Sequence, residues 1–268
     1  MRLILLISAF LILFTGCTFN ITEKVKEITL SGSASGLTKI SVSENLLEDN
    51  EIEIQGIDSQ QVIVTAVARM FVLKDNDDVL DDLQLSISSG GEIGFVYPGE
   101  SWSRIGIEAM SIQMDRTLDC DLKSVSGNIE ISDVAGFCKV RTTSGNCEVE
   151  TVEGCNIKSK SGDITVNSVY DSLQDTTKLY IESVSGDVDI YLPNDTLAFT
   201  GTVCLISVKT SSGDICITVP YGFSADLDFS TQSGDKTISV YFNDISASSN
   251  TIDCETIGGD LIIKSYTP

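Results

Sequence analysis

From residue 119 onward, apolar and polar positions alternate in short runs, and the runs come in pairs separated by a turn of small residues. The turn reads Ser126-Gly127-Asn128, Ser144-Gly145-Asn146, Ser161-Gly162-Asp163, Ser185-Gly186-Asp187, Ser212-Gly213-Asp214 and Ser233-Gly234-Asp235, with a degenerate seventh copy at Gly258-Gly259-Asp260. Successive central glycines are 18, 17, 24, 27, 21 and 25 residues apart, so the early repeats are tight and the later ones carry longer loops. Seven residues before each glycine stand Cys120, Cys138, Cys155, Leu179, Ile206, Leu227 and Ile252, and five before it Leu122, Val140, Ile157, Ile181, Val208, Phe229 and Cys254. After the turn the alternation resumes with pairs such as Ile129 and Ile131, Cys147 and Val149, or Ile215 and Ile217; Lys236 breaks that column and Ile238 restores it. Period-two alternation on both sides of a glycine turn predicts a strand, a corner and a second strand, each with one face inward.

A repeat of this kind predicts an all-β chain, a parallel β-solenoid of about seven coils. One coil cannot bury its apolar face alone; stacked coils bury a continuous core, at roughly 1.5–3 kcal/mol for each aliphatic side chain. Glycine suits a corner that requires positive φ, and the Asn or Asp after it bonds turn backbone. Three residues before the glycine, Ser124, Thr142, Ser159, Ser183, Thr210, Thr231 and Thr256 form a column of small hydroxyls, expected at the corner with bonds to neighbouring backbone.

Residues 17–118 follow no such period and read as an irregular N-terminal β region that begins and caps the solenoid of residues 119–268. Strands are expected at Thr38–Val42, Glu51–Ile54, Gln61–Val72, Leu83–Ser88 and Gly106–Met114, with the acidic insert Lys74–Asp82 as an exposed loop. A separate N-terminal domain remains open to the sequence, although no Pro- or Gly-rich linker divides the two parts.

The chain opens with Arg2 and an apolar run from Leu3 to Phe14 broken only by Ser8, a secretory signal too short to span a bilayer. It ends in Phe14-Thr15-Gly16-Cys17, which resembles the lipobox of bacterial lipoproteins, with Phe14 in place of the usual aliphatic residue. The expectation is cleavage after residue 16 and diacylglycerol on the Cys17 thiol, two acyl chains being enough for stable anchoring. The mature protein would then be membrane-anchored and extracytoplasmic, on the cell surface or the periplasmic face.

Removing residues 1–16 deletes Arg2 and no acid, leaving 16 cations against 39 acids, a net charge of −23. Such a balance argues against nucleic acid as a partner and fits a solubilising surface. The sequence contains no histidine, which removes the commonest general base and metal ligand.

The Ser-Val-Ser-Gly-Asn/Asp-[Ile/Val] turns at 124–129 and 183–188 are joined by the Val-Pro-Tyr-Gly-Phe segment at 219–223, which leads to Thr231-Gln232-Ser233-Gly234-Asp235. Together with the irregular β region they resemble the bacterial putative-adhesin family of unknown function, related to the head domains of adhesin-like surface proteins. The resemblance covers most of the mature chain. It implies a β-solenoid and an adhesin-like role, with some members tied to envelope-stress responses, and it brings no catalytic residues. The cysteine-filled core and Lys236 depart from the family's aliphatic pattern.

Eight cysteines in an exported chain first suggest disulfides. Cys120, Cys138, Cys147, Cys155 and Cys254 fall in apolar columns and read as small, reduced core residues. Cys17 is the lipid site, and Cys204 and Cys216 stand outside those columns, where a disulfide between them is one option. With no Cys-x-x-Cys and no His, no zinc site is expected, nor any other metal or cofactor. The ladder of Asn128, Asn146, Asp163, Asp187, Asp214, Asp235 and Asp260 reads as turn structure, with a calcium ladder as the rival. Glu130, Glu148, Glu150 and Asp189 point outward, as solvated acids or as an imitation of the carboxylate pair of a β-helix polysaccharide-degrading enzyme. Tyr97 and Trp102, in a Pro- and Gly-containing loop, suit either sugar stacking or plugging the end of the solenoid. The expectation is a non-catalytic, adhesin-like envelope protein that binds a glycan or protein partner through Glu130, Glu148, Asp189, Tyr97 and Trp102. An envelope-stress regulatory or scaffolding lipoprotein and a β-helix enzyme are the alternatives.

Overall fold

The structure, a computed structural model, describes residues 22–42, 47–72, 79–96, 105–151, 153–168, 176–194, 203–240 and 250–266. The chain begins with β1 (Thr22–Ser33), β2 (Lys39–Val42), β3 (Leu47–Ile57) and β4 (Gln61–Val72), then a short 3-10 turn (Val79–Asp82), β5 (Gln84–Ile87), β6 (Glu92–Val96) and β7 (Ile105–Asp115). The glycine turns then link β8 (Asp119–Ser124) to β9 (Ile129–Val134), β10 (Phe137–Thr142) to β11 (Cys147–Thr151), and β12 (Gly154–Ser159) to β13 (Ile164–Ser168). They go on to link β14 (Thr176–Ser185) to β15 (Val188–Tyr191), β16 (Val203–Ser212) to β17 (Ile215–Val219), β18 (Asp226–Thr231) to β19 (Lys236–Ser239), and β20 (Thr251–Thr256) to β21 (Leu261–Ser265).

These strands form two sheets whose inner faces share one core. The first sheet, A, has the order β1-β4-β7-β3-β9-β11-β13-β15-β17-β21-β19; the second, B, has the order β18-β20-β16-β14-β12-β10-β8-β2-β6-β5. Pairing is parallel except at the N-terminal end, where β1–β4, β4–β7 and β5–β6 are antiparallel. The parallel β-solenoid expected from the alternation is therefore present, and its columns are in register: Cys120, Cys138, Cys155 and Leu179 are consecutive partners, as are Leu122, Val140, Ile157 and Ile181. All eight are buried, because each strand turns every second side chain into the space between the sheets.

The N-terminal strands occur where the alternation placed them, and β1 and β6 are additions. Val62, Val64, Ala66, Ala68 and Met70 of β4 are all buried, as the alternation requires. Two further coils come from this region, since β2 with β3 and β6 with β7 join the same two sheets as the glycine-turn coils. The end of the acidic insert is a 3-10 turn against which Lys26 is fastened, its Nζ donating to the carbonyls of Leu80 at 2.8 Å and Asp81 at 2.7 Å. The remainder of that insert, residues 74–78, lies outside the described residues.

The spatial order of coils differs from their order in the chain at both ends. The β20/β21 coil lies between β16/β17 and β18/β19, and β2/β3 lies between β6/β7 and β8/β9. Asn250 secures the first of these insertions: its Oδ1 accepts the Cys204 N–H at 2.8 Å, its Nδ2 donates to Ser224 O at 2.8 Å, and its carbonyl accepts the Asp226 N–H. The arrangement explains Lys236. It belongs to the outermost coil, where Lys236, Thr237, Ile238 and Ser239 are all exposed and no inward column has to be filled.

Candidate functional site

The corner of the solenoid is a hydrogen-bonded ladder. Gly145 has φ 96° and a Cβ there would overlap the carbonyl oxygen of Gly127, so only glycine allows the turns to stack. Each Asx side chain then accepts the backbone N–H of the next: Asn128 Oδ1 from Asn146 at 3.1 Å, Asn146 from Asp163 at 3.0 Å, Asp163 from Asp187 at 3.0 Å, and Asp187 from Asp214 at 2.8 Å. The ladder then jumps to Asp260 at 2.8 Å before reaching Asp235 at 2.9 Å, following the spatial order of coils. One side-chain oxygen of each residue from Asn128 to Asp214, and of Asp260, is thus engaged with backbone. Among the described residues no three Asp, Glu or Cys side chains are placed to hold a metal ion.

The hydroxyl column lies just inside this corner. Ser124, Thr142, Ser159, Ser183 and Thr210 each donate to the carbonyl two residues on, at 2.6–3.1 Å, closing the turn from within. Thr231 and Thr256 donate instead across coils, to Gly259 and Gly213.

The outer face of sheet A brings together Glu53, Glu130 and Glu148, which are consecutive register partners on β3, β9 and β11 and are all exposed. Thr165 follows, and Asp189 lies beyond it, two strands from Glu148. Glu53 has no counterpart in the glycine-turn repeat and was not visible as a neighbour of Glu130; only the pairing of β3 with β9 reveals it. Where this face meets the corner, Glu51, Glu108, Ser126, Gly127, Asn128, Ser144 and Gly145 border an open groove of about 550 Å³. Glu108 is held there by Arg69, which also reaches Glu23 at 2.9 Å; the hydrogen bonds that the guanidinium donates to Glu108 raise its pKa. Tyr97 and Trp102, like Cys17, lie outside the described residues.

The outer face of sheet B is charged differently. Lys123, Arg141 and Lys158 are consecutive partners on β8, β10 and β12, and the column continues through Glu182, Lys209 and Glu255. Lys158 pairs with Glu182 at 2.6 Å and Lys209 with Glu255 at 3.2 Å, whereas Lys123 and Arg141 have no ion pair among the described residues. The signal for this column was present four residues before each glycine, but it reads as scattered surface charge until the register aligns it.

The core cysteines occupy the apolar columns as expected, and all seven described cysteines are unbridged. Cys120 is hydrogen-bonded to Cys138, which together with burial pushes its thiol pKa well up, and burial, helped by the neighbouring Cys138 thiol, carries Cys147 to about 12. The structure corrects the pairing considered for Cys204 and Cys216. Cys204 is buried, facing inward from β16 in register with Thr177, while Cys216 is half-exposed on the outer face of sheet A, so the core separates the two thiols.

Parallel two-stranded coils joined by a stacked glycine corner define a two-sheet β-solenoid. The chain belongs to the Toastrack DUF4097 family, whose profile matches residues 18–207. Among solved structures it is similar to a putative cell adhesion protein from Clostridium sporogenes, with 11% identity over 90% of this chain and 100% of that one and a TM-score of 0.36. It is also similar to putative adhesins from Bacteroides fragilis (14% identity, 90% of this chain and 97% of that one, TM-score 0.39) and Parabacteroides distasonis (9% identity, 90% and 97%, TM-score 0.44). A search of curated protein sequences returned no match. No helix among the described residues is long and apolar enough to cross a membrane.

Proposed function

We propose that the protein is a lipid-anchored, non-catalytic, adhesin-like component of the bacterial envelope that holds a glycan or protein partner against the outer face of sheet A. The observation that carries this reading is the line of Glu53, Glu130 and Glu148, set at the strand spacing of about 4.8 Å on the outer face of a parallel sheet. Repeated coils of this kind favour an extended contact over a concave one. Glu130 and Glu148 are about as far apart as the carboxylates of a retaining glycosidase, roughly 5 Å. Both nevertheless face open water on the outside of the sheet, Glu148 accepting from Asn167 Nδ2 at 3.4 Å, and neither lies in the enclosed cleft that a catalytic carboxylate pair requires. The signal-like run ending in Phe14-Thr15-Gly16-Cys17 supports anchoring through the Cys17 thioether.

The test is capture of partners from cross-linked whole cells, with labelled fatty acid present during growth. The Cys17→Ser variant should lose the lipid label and remain unprocessed. Charge reversal at Glu130, Glu148 and Asp189 should leave the protein folded and anchored but deplete the captured partner. Persistent lipid label in Cys17→Ser defeats the anchor. A polysaccharide lyase or hydrolase activity that disappears on charge reversal replaces the binding reading with the enzymatic one.

A further inference from the structure

The two outer faces of the solenoid carry complementary charge at the same spacing. On sheet A, strands β3, β9 and β11 turn Glu51, Glu53, Glu130, Glu148 and Glu150 outward, with no Lys or Arg among their outward positions. On sheet B, strands β8, β10 and β12 turn Lys123, Arg141 and Lys158 outward in one line. In the adjoining column Lys139 is matched by Asp121 of the same face at 3.5 Å, which leaves the cationic line as the surplus there. Both lines repeat at the strand spacing of about 4.8 Å, because both are set by parallel in-register pairing. A displacement of one coil along the stack sets Glu53, Glu130 and Glu148 of one molecule opposite Lys123, Arg141 and Lys158 of another.

We infer that these faces are a self-association interface, in which the cationic line on sheet B of one copy takes the acidic line on sheet A of a second copy. The contact is between unlike faces, so a pair of molecules still has one face of each kind free and association continues into a row instead of closing as a dimer. The large net negative charge opposes this at a distance. At physiological ionic strength the Debye length is about 8 Å, so the facing columns are felt more strongly than charge on the far side of either molecule. Lys158 is already held by Glu182, which leaves Lys123 and Arg141 as the residues with the most to gain. The acidic line is the one proposed above to hold a partner, and that partner is here a second copy of the chain; because the interface is built from both faces of the folded chain, it stands whether or not the protein is lipid-anchored.

Sedimentation velocity of the full-length protein in nonionic detergent tests the inference with two triple variants. One carries Glu53→Lys, Glu130→Lys and Glu148→Lys; the other carries Lys123→Glu, Arg141→Glu and Lys158→Glu. The unmodified protein should form a concentration-dependent series of oligomers that dissolves near 1 M salt, where the Debye length is about 3 Å. Each variant alone should require at least about tenfold more protein to associate. An equal mixture of the two variants should associate again as rows in which the two alternate, since acidic and basic faces then lie on different molecules. The inference is overturned by a wild-type monomer across the concentration range, by variants that associate like wild type, or by a mixture that stays monomeric. It is equally overturned if the cationic line instead binds a polyuronate, with that binding lost in the Lys123/Arg141/Lys158 variant while wild type remains monomeric.

Discussion

Replacing Gly162 by Ala isolates the contact on which the stack of turns depends. Gly162 has φ 100°, and a Cβ added there would meet the carbonyl oxygen of Gly145 well inside 3.0 Å. The left-handed backbone costs an L residue about 1–2 kcal/mol. Relieving the overlap requires the two coils to separate locally by roughly 1 Å, since both partners are backbone. That separation breaks the bond from Asp163 N–H to Asn146 Oδ1 at 3.0 Å and those from Ser161 N–H and Oγ to Thr143 O at 3.1 and 3.2 Å. At about 0.5–1.5 kcal/mol for each of the three bonds, the loss totals roughly 2.5–6.5 kcal/mol with the backbone contribution included. Two other glycines separate the contributions. Gly36 has φ 84° but open space around its Cβ position, so Gly36→Ala should cost only the backbone penalty, about 1 kcal/mol after the unfolded chain is stiffened. Gly106 has neither positive φ nor a neighbour within 4 Å, so Gly106→Ala should be neutral or stabilising by up to about 1 kcal/mol. Urea unfolding followed by far-UV circular dichroism measures all three. If Gly162→Ala falls within about 1 kcal/mol of Gly36→Ala, the stacked turns do not hold the coils together and the corner argument fails.

Three of the other expectations concern the core. Alkylation of the native protein should modify Cys216 while Cys120, Cys138, Cys147, Cys155, Cys204 and Cys254 react only after denaturation; a Cys120–Cys138 or Cys138–Cys155 disulfide found by mass spectrometry would contradict the packing. Burial pushes Cys147 and Cys204 to about 12 from the usual 9.0. The folded state therefore keeps protons that the unfolded chain gives up, and their contribution is complete below about pH 9 and falls as pH rises to about 12, by up to roughly 1.4 kcal/mol per unit and thiol. The urea midpoint should drop on going from about pH 8 to pH 11, and the Cys147→Ala, Cys204→Ala double variant should show a shallower drop; an unchanged profile refutes the burial argument. Finally, Ile263 is buried on inserted β21 and Ile238 is 48% exposed on outermost β19. Ile263→Ala should cost about 2–5 kcal/mol and Ile238→Ala under about 1 kcal/mol; the reverse ranking would place the two coils in chain order, and equal costs would refute the burial difference.

What could be read before the structure was whatever a single coil imposes on itself. The glycine at a positive-φ corner, the Asx beside it, the hydroxyl three residues earlier and the inward Leu, Ile, Val and Cys are local requirements repeated in each coil, so the repeat displays them directly. Strand β1 escaped because Lys24 and Lys26 interrupt its inner face, and Lys26 is tolerated there only because the carbonyls of Leu80 and Asp81, more than 50 residues away, accept its ammonium. The inward position of Cys204 is hidden in the sequence because Thr177, its register partner, lies ahead of the columns that define the repeat.

The sequence by itself determined the class of fold, the corner and most of the core, since these follow from alternation and turn chemistry within about twenty residues. Only the tertiary structure decided which coil touches which. Every coil offers the same backbone edges and nearly the same apolar columns, and the pattern marks the order of the last two coils only through Lys236, which suits an outermost strand. The choice rests on long-range contacts such as Asn250 with Cys204 and Ser224. The candidate faces depend on that same decision. Glu53 stands 77 residues before Glu130 in the chain and becomes its neighbour only through parallel pairing of β3 with β9, because charge on a sheet surface acquires its pattern from register and not from sequence distance.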